Sequence, residues 1–425
     1  MGVEVTGQVE GGSVVAAGET ITVSVTVSST KDCSSNNSDD MSGDVVAWCS
    51  AQIHCICTSN DAYVIAPSPA KATVAAGELG NLTSAGTSLA PWRGEGGHLV
   101  LTTKPTILFC DLHLPPGHSR TFRYREVVPV TGPPSYRGVH VKYSWKVTVG
   151  AQRHGRKVVL LRLPLRVLLL PPPPPGALED AYSESDDELS PSNPFLHPSP
   201  HACSSPAPNA ALLQAWTAPS ARAYNVVHSR GHVVQFRLFR SRYRLGDDLL
   251  ATLDFSAAQI PCVQYAVCLQ SVEEVAQEHR KRRQQSASVV SHSKTHEVCL
   301  SMTHTSLLMP VPLHITPSFD AHMVNLKYRL HFEFVLSLDD SHHKAQRAKL
   351  KKASKAGEAA EHNPDTGLHM GGWVKQEDES LSWRAPQELD IETLVWDLPV
   401  NICPAPPTQL SYALNLPLSC ASMIV

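Results

Sequence analysis

The sequence predicts an all-β chain built from two tandem immunoglobulin-like β-sandwiches, and three observations carry that prediction. Apolar residues recur with period two in the best-patterned stretches, a single stretch has helical character, and four short signatures occur twice in the same order. Ile21 to Val27 reads I-T-V-S-V-T-V, with hydroxyls opposite the apolar side chains. Val141 to Val149 reads V-K-Y-S-W-K-V-T-V. Leu326 to Phe334 reads L-K-Y-R-L-H-F-E-F and places Lys327, Arg329, His331 and Glu333 on one side. Strands half buried between a core and water have this alternation. Only Ser271 to Ser286 reads as helix, and it is too charged to anchor a core.

The four repeated signatures set the domain plan. Gly18-Glu19-Thr20-Ile21 pairs with Gly246-Asp247-Asp248-Leu249, each a turn feeding an alternating strand. Cys49 to Cys55 pairs with Cys262 to Cys268. Pro134-Ser135-Tyr136 and the strand after it pair with Pro317-Ser318-Phe319 and its strand. Leu163 to Val167 pairs with Leu398 to Ile402. The interval between the last two signatures is longer in the second half by about the length of a charged insertion, so a duplication accounts for the order and the spacing.

Two stretches break the pattern. Pro171 to Pro208 holds 11 of the chain's 33 prolines and, from Ser183, the acidic run S-E-S-D-D-E. Such composition cannot bury enough surface to offset its ordering entropy. Lys344 to Lys355 carries six Lys and Arg among 12 residues and reads as a solvated insertion between strands. The expected organisation is a first sandwich over 1–170, a Pro-rich, acidic, disordered linker over 171–215, a second sandwich over 216–403 with a basic insertion at about 337–386, and a tail over 404–425.

Composition excludes several function classes. The chain has 425 residues, 36 Lys+Arg against 39 Asp+Glu and a formal charge of −3, which removes the long-range attraction a general nucleic-acid binder uses. Eleven cysteines occur without any C-x-x-C, and the opening MGVEVTGQVE has neither a basic start nor an apolar run. The longest apolar stretch, Val158 to Leu170, is 13 residues long and contains Arg162, Pro164 and Arg166, whereas a membrane span needs about 20 apolar residues. A cytosolic protein with reduced, buried thiols is expected. Cys-x5-Cys is not a zinc spacing, so no metal or cofactor is predicted. G-x-S-x-G, Walker A and carboxylates clustered on a helix are all absent, which points away from an enzyme.

Longer strings add a resemblance. Two duplicated β-sandwiches in one chain look like the arrestin architecture. Ala47-Trp48-Cys49-Ser50-Ala51-Gln52-Ile53-His54-Cys55, Ile107 to Leu112 and Gly132-Pro133-Pro134-Ser135-Tyr136-Arg137-Gly138, with Tyr243 to Asp248 and Leu326 to Val335, resemble the Rgp family. That family is the arrestin-like partner subunit of a Golgi Rab guanine-nucleotide exchange complex. The match covers most of the chain and weakens in the linker, the basic insertion and the tail after Ile402. The resemblance implies a non-catalytic subunit that pairs with the large β-propeller-containing Ric subunit. It implies action on a Golgi Rab GTPase in its GDP or nucleotide-free form, in endosome-to-Golgi and intra-Golgi retrograde traffic. It also implies a cytosolic protein peripheral to the Golgi membrane. The alternative is a cargo adaptor of the arrestin or retromer kind that binds receptor tails by strand addition.

Short motifs are weighed against structural roles. Pro133-Pro134-Ser135-Tyr136 fits a WW-domain ligand, but an aromatic in both repeats (Tyr136, Phe319) points to a core residue at a turn. Asn193-Pro194-Phe195 fits an EH-domain ligand. Ser183 and Ser185, followed by Asp186, Asp187 and Glu188, suit an acidophilic kinase. Met1-Gly2 with Thr6 fits minimal acylation, although Val3 and Val5 read as the first strand. Arg280 to Arg283 and Lys344 to Lys355 are the basic clusters that could meet anionic lipid head groups.

Overall fold

The computed structural model describes residues 2–30, 44–65, 73–74, 96–170, 220–281, 287–300, 302–338, 372–375, 381–384, 390–414 and 419–425. The first half supplies β1 (Val3–Val9), β2 (Val14–Ala16), β3 (Thr20–Ser29), β4 (Asp44–Ser59), β5 (Thr73–Val74), β6 (His98–Thr102), β7 (Thr106–Leu114), β8 (Ser119–Val127), β9 (Tyr136–Arg137), β10 (Val141–Arg153) and β11 (Val159–Leu168). The second supplies β12 (Arg222–His228), β13 (Gly231–Leu238), β14 (Arg242–Arg244), β15 (Asp248–Asp254), β16 (Cys262–Val275), β17 (Ala287–Val298), β18 (His304–Pro310) and β19 (Phe319–Asp320). It continues with β20 (Val324–Ser337), β21 (Gly372–Lys375), β22 (Leu381–Arg384) and β23 (Ile391–Cys403). A short helix α1 (Pro407–Ala413) and β24 (Cys420–Ile424) close the chain. Among the described residues, no helix is long and apolar enough to cross a membrane.

Each half has a small sheet and a large one. In the first, β24-β1-β3-β8 faces the sheet β2-β11-β10-β4-β6-β5, on which β7 pairs with β4 and β9 with β10. In the second, β12-β13-β15-β18 faces β14-β23-β20-β16-β17, with β19 on β20. The facing follows from the side chains. On β3, Ile21, Val23, Val25 and Val27 point inward and are buried, while the threonines and serines between them look out. On β1 the inward series is Val3, Val5, Gly7 and Val9. A Cβ on Gly7 would meet Leu161 and Leu163 of β11 at 2.9 and 3.0 Å, so the sheets approach closely there. In the second half Phe236 of β13 packs against Phe332 of β20 and Trp396 of β23 at centroid distances of 4.9 and 5.7 Å. Full burial of such a side chain stabilises by about 1.5–3 kcal/mol relative to exposure.

Three of the four repeated signatures stand at equivalent positions, down to individual hydrogen bonds. Gly18 and Gly246 turn with φ of 89° and 83°, a region that favours glycine. The Glu19 carboxylate accepts from the Ala16 N–H at 2.8 Å, and the Asp247 carboxylate accepts from the Arg244 N–H at 2.9 Å. Ser135 exchanges hydrogen bonds with Val167 as Ser318 does with Ile402. Short parallel strands, β2 on β11 and β14 on β23, occur in both halves.

Three local expectations need correction. Cys49 and Cys262 do not correspond: with Leu163 and Leu398 equivalent, Val147 of β10 matches Leu330 of β20, so Cys49, facing Ala151, takes the place of Tyr265, facing Phe334. Cys55, facing Trp145, takes the place of Ser271, facing Tyr328, and a bulge interrupts β16 at Val263. Ser271 to Val275 is the end of β16 and not helix, followed by a 3-10 turn at Gln277–His279. The charged insertion between β20 and β23 contains the antiparallel pair β21–β22.

The segment 404–425, expected as a tail, returns to the first half. The α1 residue Leu410 is fully buried, and β24 pairs with β1 from Gln8↔Cys420 to Glu4↔Ile424. The chain therefore runs first half, second half, first half.

Candidate functional site: the junction between the halves

The junction is built by the β9–β10 turn of the first half and β16 of the second. Glu273 points inward from β16, with a side chain 4% exposed. Its carboxylate accepts three successive main-chain N–H groups: Val139 at 2.8 Å, His140 at 3.1 Å and Val141 at 3.2 Å. The His140 Nδ1 lies 3.4 Å from the same carboxylate. Successive N–H groups converging on one point form an anion nest, and hydrogen bonds to a charged acceptor contribute about 1.5–3 kcal/mol each. The Tyr136 hydroxyl lies close to Glu273, and its pKa is raised well above the tyrosine range by burial first and by that carboxylate second. A Cβ on Gly138 would collide with both Glu273 Oε1 and Tyr136 Oη, so the turn closes this tightly only with glycine.

Around this centre the halves interlock. Tyr136 and Phe319, equivalent positions of the duplication, meet edge to face at 5.1 Å, so the repeated aromatic packs against its own counterpart. Cys57 Sγ lies 3.6 Å from Met323 Sδ. On one flank Arg166 donates to the carbonyls of Leu313, His314 and Ile315 at 3.2–3.5 Å, and burial lowers its pKa. On the other, Ile65 N–H donates to His279 at 2.8 Å and Lys281 N–H to Tyr63 at 3.1 Å, around a bridge between Val64 and Arg280. The Tyr63 ring stands edge-on to His140 at 5.3 Å.

Chemically, this site holds and does not react. Three N–H groups use the lone pairs of Glu273, leaving it unsuited to act as a general base. The buried thiols are equally passive: burial pushes Cys49 and Cys57 up to about 12, and raises Cys55 well above its ordinary value. Among the nine described cysteines, all free, only Cys110 and Cys420 are exposed.

The structure separates the motifs singled out in the sequence. Tyr136 is buried at the junction, so Pro133-Pro134-Ser135-Tyr136 is an architectural string: Pro133 O accepts from the Trp145 indole at 2.7 Å and Ser135 ties to β11. Gly2 donates its N–H to Thr30 at the start of β1, and Val3 and Val5 are core residues, as the strand reading requires. Arg280 donates to the Val275 carbonyl at 2.6 Å and Lys281 to that of Asp61, so half of that basic cluster serves the junction. Ser183, Ser185, Asn193-Pro194-Phe195, Arg282, Arg283 and Lys344 to Lys355 lie outside the described residues. Glu273 was not anticipated. The available signal was its place in an inward series, Leu269, Ser271, Glu273, Val275, where an acidic residue breaks the alternation.

Tyr136→Phe separates the roles of ring and hydroxyl. The variant should fold, keep the contact with Phe319 and lose about 0.5–1.5 kcal/mol through the missing hydroxyl beside Glu273, read from urea unfolding. Unchanged stability would show that the hydroxyl contributes nothing to the junction.

The class that fold and junction define is a duplicated all-β chain whose halves are tied through a shielded carboxylate held by main-chain donors. The Rgp1 family profile matches residues 99–169 and 176–337, which include both the Tyr136 turn and Glu273. The chain is 36% identical to RAB6A-GEF complex partner protein 2 of Homo sapiens, over 97% of this chain and 97% of that protein. Its identity to RAB6A-GEF complex partner protein 2 of Bos taurus is also 36%, over 94% of this chain and 93% of the bovine protein. The chain belongs to the Rgp1 family.

Proposed function

We propose that this protein is a non-catalytic subunit of a heteromeric guanine-nucleotide exchange factor for a Golgi Rab GTPase, acting in retrograde endosome-to-Golgi and intra-Golgi transport. The observation that carries the reading is identity of 36% sustained over 97% of both chains with a protein named as a Rab exchange-complex partner. Fold and junction support it. The facing sheet pairs fit an arrestin-like arrangement of two immunoglobulin-like sandwiches, first over 1–170 and then over 216–403, joined by the Pro-rich linker. The partner is a large subunit of the β-propeller-containing Ric kind, and the complex sits peripherally on Golgi membrane.

The mechanism needs no nucleophile. A complex that binds the nucleotide-free GTPase more tightly than the loaded form weakens nucleotide binding by the same factor, and each tenfold corresponds to about 1.4 kcal/mol. This chain's part is to present surfaces of both halves in one orientation. That is what Glu273, the Tyr136–Phe319 contact and the Arg166 cap do: they remove the freedom two linked domains would otherwise have.

The test is affinity purification of the tagged full chain from cytosol, sizing of the eluate and release of a fluorescent guanine nucleotide from the Rab. A large β-propeller protein should co-elute in stoichiometric amount, and the pair should release nucleotide at least about tenfold faster than the chain alone. Release by the isolated chain at the rate of the pair would remove the scaffold role. Binding to a receptor-tail peptide without large subunit or Rab would favour the cargo adaptor instead.

A further inference from the structure

Beside the junction, three side chains converge that neither the fold nor the proposed function uses. Glu278 and His279 lie on the 3-10 turn after β16, and His322 lies on the turn between β19 and β20. Their ligand atoms all lie within 4.8 Å of one another. His279 Nε2 is 2.9 Å from His322 Nδ1, and the two rings are tilted 56° at a centroid distance of 4.8 Å. His279 is buried; Glu278 and His322 are exposed and line an open pocket with Ala276 and Gln277.

We infer that Glu278, His279 and His322 form a binding site for one divalent cation of the zinc class, placed against the strand-like bridge between the halves. The donor set is two imidazoles and one carboxylate, the nitrogen and oxygen ligands zinc takes at about 2.0–2.2 Å, and three protein ligands leave a position open to water. The support for the buried ligand is in place. His279 Nδ1 is 3.2 Å from the carbonyl of Ile65, so Nδ1 carries the proton and Nε2 turns its lone pair toward Glu278 and His322. A histidine whose other nitrogen is bonded to a main-chain carbonyl is what metal sites characteristically employ. Without metal, His322 Nδ1–H donates to that lone pair. With metal, the His322 proton moves to Nε2 through solvent, Nδ1 becomes the second ligand and Glu278 the third, with no net change in protonation. Two tetrahedral ligand atoms lie about 3.3 Å apart at zinc bond lengths, so the imidazole nitrogens separate by a few tenths of an ångström.

The consequence concerns the junction. The turn that supplies two of the ligands also supplies the His279 carbonyl to Ile65 N–H and the Lys281 N–H to Tyr63. A cation fixing that turn to His322 therefore stiffens the bridge between the halves. The sequence gives no hint of this, because Glu278-His279 and His322 belong to no zinc spacing and meet only through the pairing of β16 with β20.

The experiment uses the full chain, stripped with a chelator, with Co2+ and Zn2+ as probes. One Co2+ per chain should bind at micromolar concentration and give visible d–d bands without a thiolate charge-transfer band, and Zn2+ should displace it and raise Tm. H322A and E278Q alter exposed side chains, should leave the circular dichroism unchanged, and should each weaken binding at least about tenfold, as losses from metal sites do even in the outer shell. Absence of micromolar binding, equal binding by H322A, or a thiolate-to-cobalt band would each overturn the site, the last by locating the ion at cysteines.

Discussion

Replacing Glu273 with alanine is expected to destabilise the chain by about 3–5 kcal/mol, the range for removing one partner of a buried charged network. The loss has two parts. Three N–H groups on Val139, His140 and Val141, the last two in buried bonds, lose their acceptor, and a void opens beneath Tyr136. Glutamine is nearly isosteric yet should recover little, since its NH2 group would point donors at donors. The decisive readout is the shape of the unfolding curve. Intact, the junction couples the halves, and guanidinium unfolding should be one transition. In Glu273→Ala it should split into two, because cooperativity between the halves passes through this contact. Limited proteolysis should also become faster around the β9–β10 turn. A single transition displaced by less than about 0.5 kcal/mol would mean that the Tyr136–Phe319 contact and the Arg166 cap hold the halves without the carboxylate.

What was legible in the sequence and what was not divides along physical lines. Strands β3, β10 and β20 were legible because each has one wet face and one dry face, so period two is written in full. The turns at Gly18 and Gly246 were legible because a positive φ and an acidic residue directly after it leave a fixed trace. Tyr136 was placed in the core because its repeat partner is Phe319, although no sequence argument showed that the two touch. The end of β16 was misread for the reason that makes it interesting. Ser271 and Glu273 occupy inward positions with Val272 and Glu274 facing outward, so the alternation is inverted where the strand leaves its own core and meets the other half. A local rule fails where an interface replaces the core. The cysteine pairs misled because Cys-x5-Cys recurs at positions that the strand register does not make equivalent. The cation ligands were invisible because strand pairing, not proximity in sequence, brings them together.

Truncation before β24 is expected to have the other large effect. In the small sheet, β1 has β3 on one side and β24 on the other, and without β24 its main-chain groups would form an open edge. The pairing extends beyond the strand: Val9 N–H donates to Ser419 at 3.0 Å, and Val425 N–H to Val3 at 2.8 Å. Removing 419–425 takes away at least five main-chain bonds, worth about 0.5–1.5 kcal/mol each, and the partly buried Ala421 and Met423 packed on the core. The expected loss is about 3–6 kcal/mol. Leu410→Ala in α1, at a fully buried site against β2, should cost about 2–5 kcal/mol by itself. The truncated chain should also self-associate, because an uncovered edge with alternating valines templates pairing with another copy. Sedimentation velocity and thermal melting read both effects, and a truncated chain that stays monomeric with unchanged Tm would show that β24 is ornamental. There is a consequence for mapping partners. Since the last strand of the chain completes the first sheet, residues 1–170 expressed alone lack a strand of their own fold, and poor binding by that fragment would report an unfinished sheet and not a missing contact. Surfaces on the first half are better mapped by exposed substitutions in the full chain, with the junction and its returning strand intact.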